Sequence, residues 1–427
     1  QSPYFMAFFP ASSSFPAILG ELYSAALTTP AFNWACSPAM TELETIVLDW
    51  LAKLLCLPKF FLSTSPGGGV IQGSASEAIV TVMVAARENY LAKLTSDLPE
   101  SQRDDAVAHL KSKMVALGSE TTHSSTQKAA QILGLRYLSI PAPAKDGYAL
   151  TGANLAKVLA ECKTRGLKPF FLTVTLGTTS TCAVDDFASI SSVLKEFAPP
   201  DEPEEIWVHI DAAYAGAALI CPEYHYLTES FSSFHSFDVN LHKWLLTNFD
   251  ASCLFVRQRK HLINAFSITP SYLRNKFTDS GHVIDYRDWQ IPLGRRFRSL
   301  KIWFVLRNYG IAGLQAHIRK HVKMGENFAK SIEARSDLFK IVTGPNFALT
   351  TFVALSVKGN NNEITRQVLE TVNDRGEIFL TPCVISGIYV IRLVSTNLLA
   401  EERFLKRAVE VLIEVTEEKR RNELEIR

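Results

Sequence analysis

The sequence predicts an α/β protein, with a largely parallel sheet covered by helices on both faces and a smaller α+β domain towards the C-terminus. Between about residues 113 and 256, apolar runs of strand length alternate with stretches of helical periodicity. This alternation is typical of parallel strands joined by helices. After about residue 335, the apolar runs 348–357 and 388–394 precede a helical stretch near 402–417, which indicates the smaller domain.

Composition limits the classes of function. The 427 residues are 47% hydrophobic and 20% charged, which is typical of a globular protein with two or three domains. The net charge of +1 and the lack of a basic stripe argue against a nucleic-acid partner. No apolar run approaches the roughly 18 residues of a membrane span. The seven cysteines form no CxxC pair, which argues against a zinc site and a secreted disulfide framework.

We therefore expect a cytoplasmic protein without a metal or a membrane partner. The chain opens at Gln1 without an initiator methionine or a signal-peptide pattern. We take this to mean that a segment upstream is missing. The aromatic-rich first 60 residues are interrupted by Pro10, Pro16 and Pro30, so no single helix can cover them. A helix is predicted from Thr41, which would cap it together with Glu44 three residues later.

A glycine-rich turn is predicted at residues 67–77 (GGGVIQGSASE), leading into a helix that runs through Ala86. Free backbone N–H groups at such a helix start can bind a phosphate or a carboxylate. An ordinary loop with a helix cap explains the same pattern equally well. Strands are then predicted at 113–117, 135–140, 170–176, 206–210 and 252–256, and helices at 124–133 and after Thr151.

A short run of strand character also begins at Ser236. Three groups that could take part in chemistry follow predicted strands: the Gly177-Thr178-Thr179 turn, Asp211 and Lys243. Ligands of open α/β sheets bind at the carboxyl ends of the strands, so these groups are expected to share one crevice. Taken alone, Lys243 is explained as a surface lysine whose aliphatic stem lies on apolar neighbours. In an apolar pocket it would instead be an amine nucleophile that forms a Schiff base.

Asp211 and the further side chain His123 each allow two interpretations. Asp211 follows a buried strand and needs a cationic partner, either an internal Arg or Lys or a protonated pyridine nitrogen. His123 lies between a strand and a helix, where a capping role competes with ring stacking or proton transfer. A phosphate cradle, a buried carboxylate, a stacking ring and an activated lysine together match the requirements of pyridoxal phosphate.

Residues 268–291 change in character, and the polar, glycine-ended stretch 269–281, which carries Tyr272, is predicted to form a long surface loop. Long loops in compact domains are often functional lids. We expect three regions along the chain: an N-terminal segment at 1–40 that contributes to the substrate pocket and the dimer, a large α/β domain at 41–310, and a small α+β domain at 311–427.

Five motifs carry a resemblance to a known family: 68–77 (GGVIQGSASE), 175–179 (TLGTT), 209–216 (HIDAAYAG), 240–245 (NLHKWL) and 285–300 (DYRDWQIPLGRRFRSL). The chain is similar to group II pyridoxal-phosphate-dependent decarboxylases, specifically the aromatic L-amino-acid decarboxylases, from Gln1 to about residue 418. The resemblance implies fold type I of the pyridoxal-phosphate-dependent transferases, with a mostly parallel seven-stranded sheet. It also implies a homodimer with shared active sites.

The resemblance assigns roles to single residues. Lys243 would carry the cofactor as a Schiff base, Asp211 would pair with its ring nitrogen and His123 would stack on its ring. Tyr272 would protonate the carbanion left by loss of carbon dioxide. The remaining cofactor contacts would be Ala75, Ser76, Thr179, Asn240 and His242. The substrate would contact Phe9, Pro10, Phe32, Trp34, His123 and Gly294, although plain core roles explain Phe9, Phe32 and Trp34 nearly as well.

The expected reaction is decarboxylation of an aromatic L-amino acid to an amine, with tryptophan the first choice. 5-Hydroxytryptophan, tyrosine, dihydroxyphenylalanine and phenylalanine are further candidates. Gly294 leaves room for an indole ring, whereas Ala11 and Pro30 depart from the family pattern near the substrate. Two alternatives stay open: an aromatic acetaldehyde synthase, which Tyr272 argues against, and a catalytically silent dimeric homologue.

Overall fold

The computed structural model describes residues 2–197, 205–268, 273, 276–279 and 283–425. Seven strands form the large sheet, in the order β1-β7-β6-β5-β4-β2-β3. Only β7 runs against the other strands, so the predicted mostly parallel sheet is confirmed. The strands are β1 Gly68–Gln72, β2 Met114–Ser119, β3 Arg136–Ile140, β4 Lys168–Thr175, β5 Trp207–Asp211, β6 Ser236–Asn240 and β7 Ser252–Val256.

A second sheet of four antiparallel strands, ordered β10-β11-β9-β8, forms the core of the smaller domain. Its strands are β8 Phe339–Asn346, β9 Leu349–Ala354, β10 Thr381–Ile385 and β11 Ile388–Val394. The helices are α1 Phe15–Leu27, α2 Pro38–Leu54, α3 Ala75–Thr95, α4 Glu100–Lys113, α5 Ser124–Ile132, α6 Gly152–Thr164, α7 Phe187–Phe197, α8 Leu241–Trp244, α9 Lys260–Phe266, α10 Lys276–Asp279, α11 Arg298–Glu333, α12 Asn361–Asp374 and α13 Glu402–Glu425. Within the described residues, none of these helices combines the length and the apolar character that spanning a membrane requires.

The central strands of the large sheet are buried on both faces. Alternate residues of a strand point to opposite faces: Val208 and Ile210 of β5 join one apolar core, whereas Trp207 joins another beneath α3. This two-sided burial explains the continuous apolar runs seen in the sequence. On the α3 face, the carboxyl ends of the strands carry the polar residues Thr175, Asp211 and Asn240, which places the candidate site at that edge.

Two predictions about the start of the large domain are wrong. Helix α2 begins at Pro38 after Ser37, because proline fits the first helical position. Thr41 therefore lies inside the helix, and Glu44 is fully buried, where it accepts from Ile71 N at 2.9 Å and pairs with Arg295. Residues 68–72 form strand β1 rather than a glycine-rich loop, so the loop before α3 consists only of Gly73 and Ser74.

The segment 268–291, of which residues 269–281 are the predicted surface loop, joins the core beneath α3 at its C-terminal end. Residues 286–289 form a short 3₁₀ turn in which Tyr286, Arg287 and Trp289 are buried. Helix α10 lies within the same segment. The predicted lid residue Tyr272 falls outside the described residues, so its role stays a prediction.

Helix α11 spans 36 residues and is interrupted at Gly310 (φ 61°, ψ 179°). The domain boundary predicted at 310/311 lies at this interruption, although the three-part division stays a prediction. The N-terminal residues contact both domains. Met6 N donates to Phe379 O of the smaller domain at 3.1 Å, and Ser12 N donates to His242 O of the large domain at 2.7 Å.

Helix α1 packs closely on α11 at Gly20. A Cβ atom added to Gly20 would lie 2.4 Å from Lys301 Cα, so the two helices would have to separate. We expect Gly20→Ala to lower the free energy of unfolding by about 1–3 kcal/mol, measured by urea denaturation. Gly294→Ala is the control, because an added Cβ there meets nothing within 4 Å. Equal stability of the two variants would contradict this packing.

Candidate active site

The structure brings His123, Asp211 and Lys243 to the same edge of the sheet. His123 follows β2 and caps α5, Asp211 ends β5, and Lys243 lies on α8 directly after β6. Surrounding protein lowers the pKa of His123, while the charge of Asp211 opposes this shift and the charge of Lys243 adds to it. Because the charges of Asp211 and Lys243 both act on His123, the three groups lie close together. The strand-end argument predicted this proximity for Asp211 and Lys243.

Lys243 has the environment of an amine nucleophile. Its side chain is only partly accessible, and desolvation lowers its pKa against the opposing charges of Asp211 and Asp238. The ammonium lies 5.4 Å from the centre of the Phe9 ring. A lowered pKa increases the fraction of neutral amine at physiological pH, which is the form that attacks a carbonyl carbon.

Asp211 presents a buried carboxylate to the same site. The residue is 5% exposed, and its Oδ1 accepts a hydrogen bond from Ala213 N at 3.1 Å. The next two side chains, Ala212 and Ala213, are small and buried, which leaves space beside the carboxylate. An anion in this position needs a cation nearby, and a protonated ring nitrogen would satisfy that need.

The start of α3 forms the anion cradle. Ser74 caps the helix by accepting from Glu77 N at 3.2 Å, and Glu77 accepts from Gly73 N at 2.9 Å. The N–H groups of Ala75 and Ser76 belong to the first turn, where a helix offers them no internal partner. The predicted anion cradle therefore lies at the start of a helix, and of the predicted turn only Gly73 and Ser74 form a loop between β1 and α3.

Unsatisfied polar atoms border this cradle. Both polar atoms of the Gln72 side chain and Oδ1 of Asn240 are buried without a hydrogen-bond partner. Gln72, Ser252 and Asn240 lie side by side on β1, β7 and β6. Buried polar groups are normally paired, so these atoms fit a site that a phosphorylated ligand completes. Sequence reasoning missed Gln72, because it placed that residue in a loop rather than at a strand end.

Three further predicted cofactor contacts differ in their burial and in their hydrogen-bond partners. His242 is buried, with Nδ1 2.9 Å from Ala251 N, and burial lowers its pKa to about 4. His123 Nδ1 accepts from Ser125 N at 3.2 Å, which leaves the Nε2 side of an exposed ring available to the site. Thr179 is exposed, whereas its neighbour Thr178 is buried and lies 2.9 Å from Thr181, oxygen to oxygen.

Aromatic side chains form the wall next to Lys243. The rings of Phe9 and Tyr214 stack at 3.7 Å between centroids, and Tyr214 stacks on Trp244 at 4.9 Å. The Arg392 guanidinium lies 4.4 Å from the centre of the Phe9 ring. Phe9 therefore lies beside Lys243, and Pro10 next to it in the chain is buried. Their contacts with substrate stay predictions.

Arg392 is a site residue that the sequence did not reveal. It lies on β11 of the smaller domain, is 4% exposed and donates through Nη1 to Phe8 O at 2.8 Å. Its Nε and Nη2 atoms are buried without a partner. Together these two atoms form one edge of the guanidinium, which can bind a carboxylate through two hydrogen bonds. No local motif marks residue 392, since only the fold brings it near Lys243.

The other predicted substrate contacts lie on separate segments. Trp34 contacts Phe277 at 4.9 Å between centroids and donates through Nε1 to Glu42 at 3.0 Å. Phe32 is half-buried, and Gly294 is exposed with open space around it. Among the described residues, Trp34 contacts Phe277, Asp285 and Glu42 rather than Phe9 or Lys243. Their substrate roles stay predictions.

Comparisons with known proteins agree with this geometry. The pyridoxal-dependent decarboxylase conserved domain matches residues 1–355. The aromatic-L-amino-acid decarboxylase of Rattus norvegicus is 45% identical over 394 residues, which are 92% of this chain and 78% of that protein. The phenylacetaldehyde synthase of Arabidopsis thaliana is 42% identical over 420 residues, which are 97% of this chain and 82% of that protein.

A solved structure has the same fold over nearly the whole chain. The Oryza sativa TDC determined with PLP and tryptamine has a TM-score of 0.91 and 37% identity, covering 98% of this chain and 84% of that one. Fold type I and pyridoxal phosphate as the cofactor, both predicted from the motifs, are thereby confirmed. The chain belongs to the pyridoxal-dependent decarboxylase family, in the group that contains the aromatic amino acid decarboxylases.

Proposed function

We propose that the protein decarboxylates an aromatic L-amino acid to its arylalkylamine and carbon dioxide, with tryptophan as the preferred substrate. The observation that carries the proposal is the grouping of Lys243, Asp211 and His123 at one sheet edge, next to the anion cradle of α3. When bound, pyridoxal phosphate supplies an aldehyde for an amine and a conjugated ring that accepts the electron pair left by the departing carboxylate.

The side chains have distinct tasks in this proposal. Lys243 provides the amine that holds the cofactor, and the first turn of α3 binds its phosphate. Asp211 holds a proton on the ring nitrogen, and His123 covers the ring. Arg392 binds the substrate carboxylate through its free Nε and Nη2 atoms. The aromatic wall of Phe9 and Tyr214 excludes water on one side, which limits side reactions.

We expect Arg392→Gln to raise KM for the amino acid roughly tenfold to a hundredfold, because a charged bidentate contact is lost. The measurement is steady-state kinetics with tryptophan. Arg366→Gln is the control, since Arg366 makes a similar ring contact with Tyr389, at 5.1 Å, on the surface of the smaller domain. If Arg392→Gln keeps the wild-type KM, Arg392 does not bind the substrate carboxylate.

A panel of tryptophan, 5-hydroxytryptophan, tyrosine, dihydroxyphenylalanine, phenylalanine and histidine tests substrate preference by kcat/KM. We expect the highest kcat/KM with tryptophan, since the open space at Gly294 leaves room for an indole ring. A higher value with a single-ring substrate would contradict the preference. Pairing the panel with Gly294→Ser shows whether this position contributes.

An aromatic acetaldehyde synthase is the second candidate, and the similarity to the Arabidopsis phenylacetaldehyde synthase supports it. Tyr272, the proposed proton donor, favours simple decarboxylation, because a donor at the former α-carbon completes the amine. Measuring amine, aldehyde, ammonia and peroxide in one reaction separates the two. Amine without ammonia or peroxide is the result expected here, and stoichiometric ammonia and peroxide would favour the synthase.

We further propose that the protein acts in the cytoplasm as a homodimer with shared sites. Helix α1 exposes a row of apolar side chains, including Phe15 at 85%, Leu22 at 62% and Tyr23 at 58%. Such a row usually marks an interface. The seven free cysteines suit a reducing compartment. Sedimentation equilibrium tests the assembly, and fractionation of cells that express the protein tests its location.

A further inference from the structure

A second carboxylate, Asp238, lies directly beside Asp211. The two residues are register partners on the adjacent parallel strands β6 and β5, so their side chains point to the same face from backbones about 4.8 Å apart. Asp238 is fully buried and Asp211 is 5% exposed. Two neighbouring buried carboxylates are costly unless each has a compensating donor or cation.

A chain of hydrogen bonds supplies the donor for Asp238. Trp207 Nε1 lies 2.9 Å from Ser236 Oγ, Ser236 Oγ lies 2.9 Å from His209 Nδ1, and His209 Nε2 lies 3.1 Å from Asp238 Oδ1. The indole N–H can only donate, so Ser236 accepts from Trp207, and its own hydroxyl can donate to His209 Nδ1. With Asp238 ionised, the carboxylate can only accept, so a neutral His209 carries its proton on Nε2 and donates it to Asp238 Oδ1.

The surroundings of Asp238 contain few other polar groups. His209 and Asp211 face it from β5, Lys243 from α8, and Ser252 Oγ from β7 at 3.5 Å from Oδ2. Lys243 is in turn influenced by Asp211, Asp238, Arg392 and Cys182. The loaded site would contain two cations near these carboxylates, the protonated nitrogen on Lys243 and the protonated ring nitrogen. Two carboxylates balance them.

Burial and the charge of Asp211 raise the pKa of Asp238, whereas the hydrogen bond from His209 and the charge of Lys243 oppose that rise. We propose that Asp238 is a positioning residue that acts through Asp211: as an anion in the loaded site, stabilised by the bond from His209 and by the two nearby cations, it strengthens the hold of Asp211 on a proton at the ring nitrogen of the cofactor. A negative charge beside Asp211 raises the proton affinity of the pair formed by Asp211 and that nitrogen. The inference rests on the proposed role of Asp211, and its test separates the two.

The test compares two ligands of the apoprotein by equilibrium binding: pyridoxal phosphate and 1-deazapyridoxal phosphate, in which C–H replaces the ring nitrogen. Asp238→Asn keeps the shape of the side chain and removes its charge. It should weaken binding of pyridoxal phosphate roughly tenfold, since one pH unit in proton affinity corresponds to a factor of ten. Binding of the deaza analogue should stay within about twofold of the wild type.

His209→Gln should also lower the ratio of the affinity for pyridoxal phosphate to the affinity for the deaza analogue, by a smaller factor than Asp238→Asn. This second variant keeps the test available if Asp238→Asn does not fold. The control is His235→Gln, because His235 also pairs with a carboxylate, Glu205 at 2.9 Å, but at the opposite end of β6. It should leave the ratio unchanged. A second readout is the pH dependence of pyridoxal phosphate affinity, which should move to lower pH in Asp238→Asn.

The outcomes separate the inference from the proposed role of Asp211. Equal weakening of both ligands, or no change in either, in Asp238→Asn would overturn the inference and leave Asp238 as a structural residue. Asp211→Asn should abolish the preference for pyridoxal phosphate over the deaza analogue. If Asp211→Asn keeps that preference, the proposed role of Asp211 fails and the inference fails with it.

Discussion

Lys243→Ala should abolish decarboxylation, lowering kcat by at least about three orders of magnitude. Removal of a residue that forms a covalent bond in the reaction leaves only the binding and electrostatic contributions of the remaining site. Desolvation lowers the pKa of Lys243 and thereby favours its neutral amine, the form that bonds to a carbonyl carbon. The measurement is carbon dioxide release from carboxyl-labelled tryptophan under single-turnover conditions.

Lys243→Arg is the informative control, because it keeps a positive charge beside Asp211 and Asp238 but cannot form a Schiff base. It should be as inactive as Lys243→Ala, and the protein should retain its melting temperature more closely. Activity of Lys243→Arg above a few per cent of the wild type would mean that the charge, rather than the amine, is what the site requires.

Asp211→Asn should lower kcat by roughly two to three orders of magnitude, because a neutral amide cannot hold the ring proton that lets the cofactor accept an electron pair. The residue is buried beside Ala213, so the change of shape is small and the effect comes from the lost charge. The KM for the amino acid should change much less than kcat. The measurement is kcat and KM with tryptophan at saturating cofactor.

Asp186→Asn is the matched control for Asp211→Asn. Asp186 is exposed near the same end of the sheet and accepts from Ser189 N at 3.1 Å. Its variant should keep wild-type kinetics. Asp211→Asn with more than about a tenth of the wild-type kcat would show that this carboxylate does not support the ring nitrogen.

The catalytic centre was predictable because its residues follow strands. Asp211 and Lys243 come directly after apolar runs, and parallel strands bring such positions to one edge. His123 was predictable for the same reason, since it connects β2 to α5. Periodicity in the sequence is sufficient for this part of the fold, because burial on both faces leaves long apolar runs.

Strand β1 was missed because three consecutive glycines are typical of a turn rather than of a strand. The structure supplies the reason for one of them: a Cβ atom at Gly69 would lie 2.8 Å from the Phe255 ring on the neighbouring strand. That close packing is a tertiary contact between residues far apart in the chain. The same error concealed Gln72 at the end of β1.

Arg392 and Asp238 were missed for another reason. Arg392 reaches the site from a different domain, and Asp238 becomes notable only through its register with Asp211. Neither relation leaves a local pattern in the sequence. The substrate contacts at Phe32, Trp34 and Gly294 rest on the family resemblance, and the lid residue Tyr272 lies outside the described part of the chain.

We propose that Lys243 is the residue that holds the cofactor. Borohydride reduction of the cofactor-loaded protein, followed by proteolysis and mass spectrometry, tests it directly, since reduction fixes a Schiff base at the lysine that formed it. We expect a phosphopyridoxyl group on Lys243 alone. A stoichiometric label on another lysine, above all the buried Lys301, or a protein that binds the cofactor without any reducible bond, would contradict it.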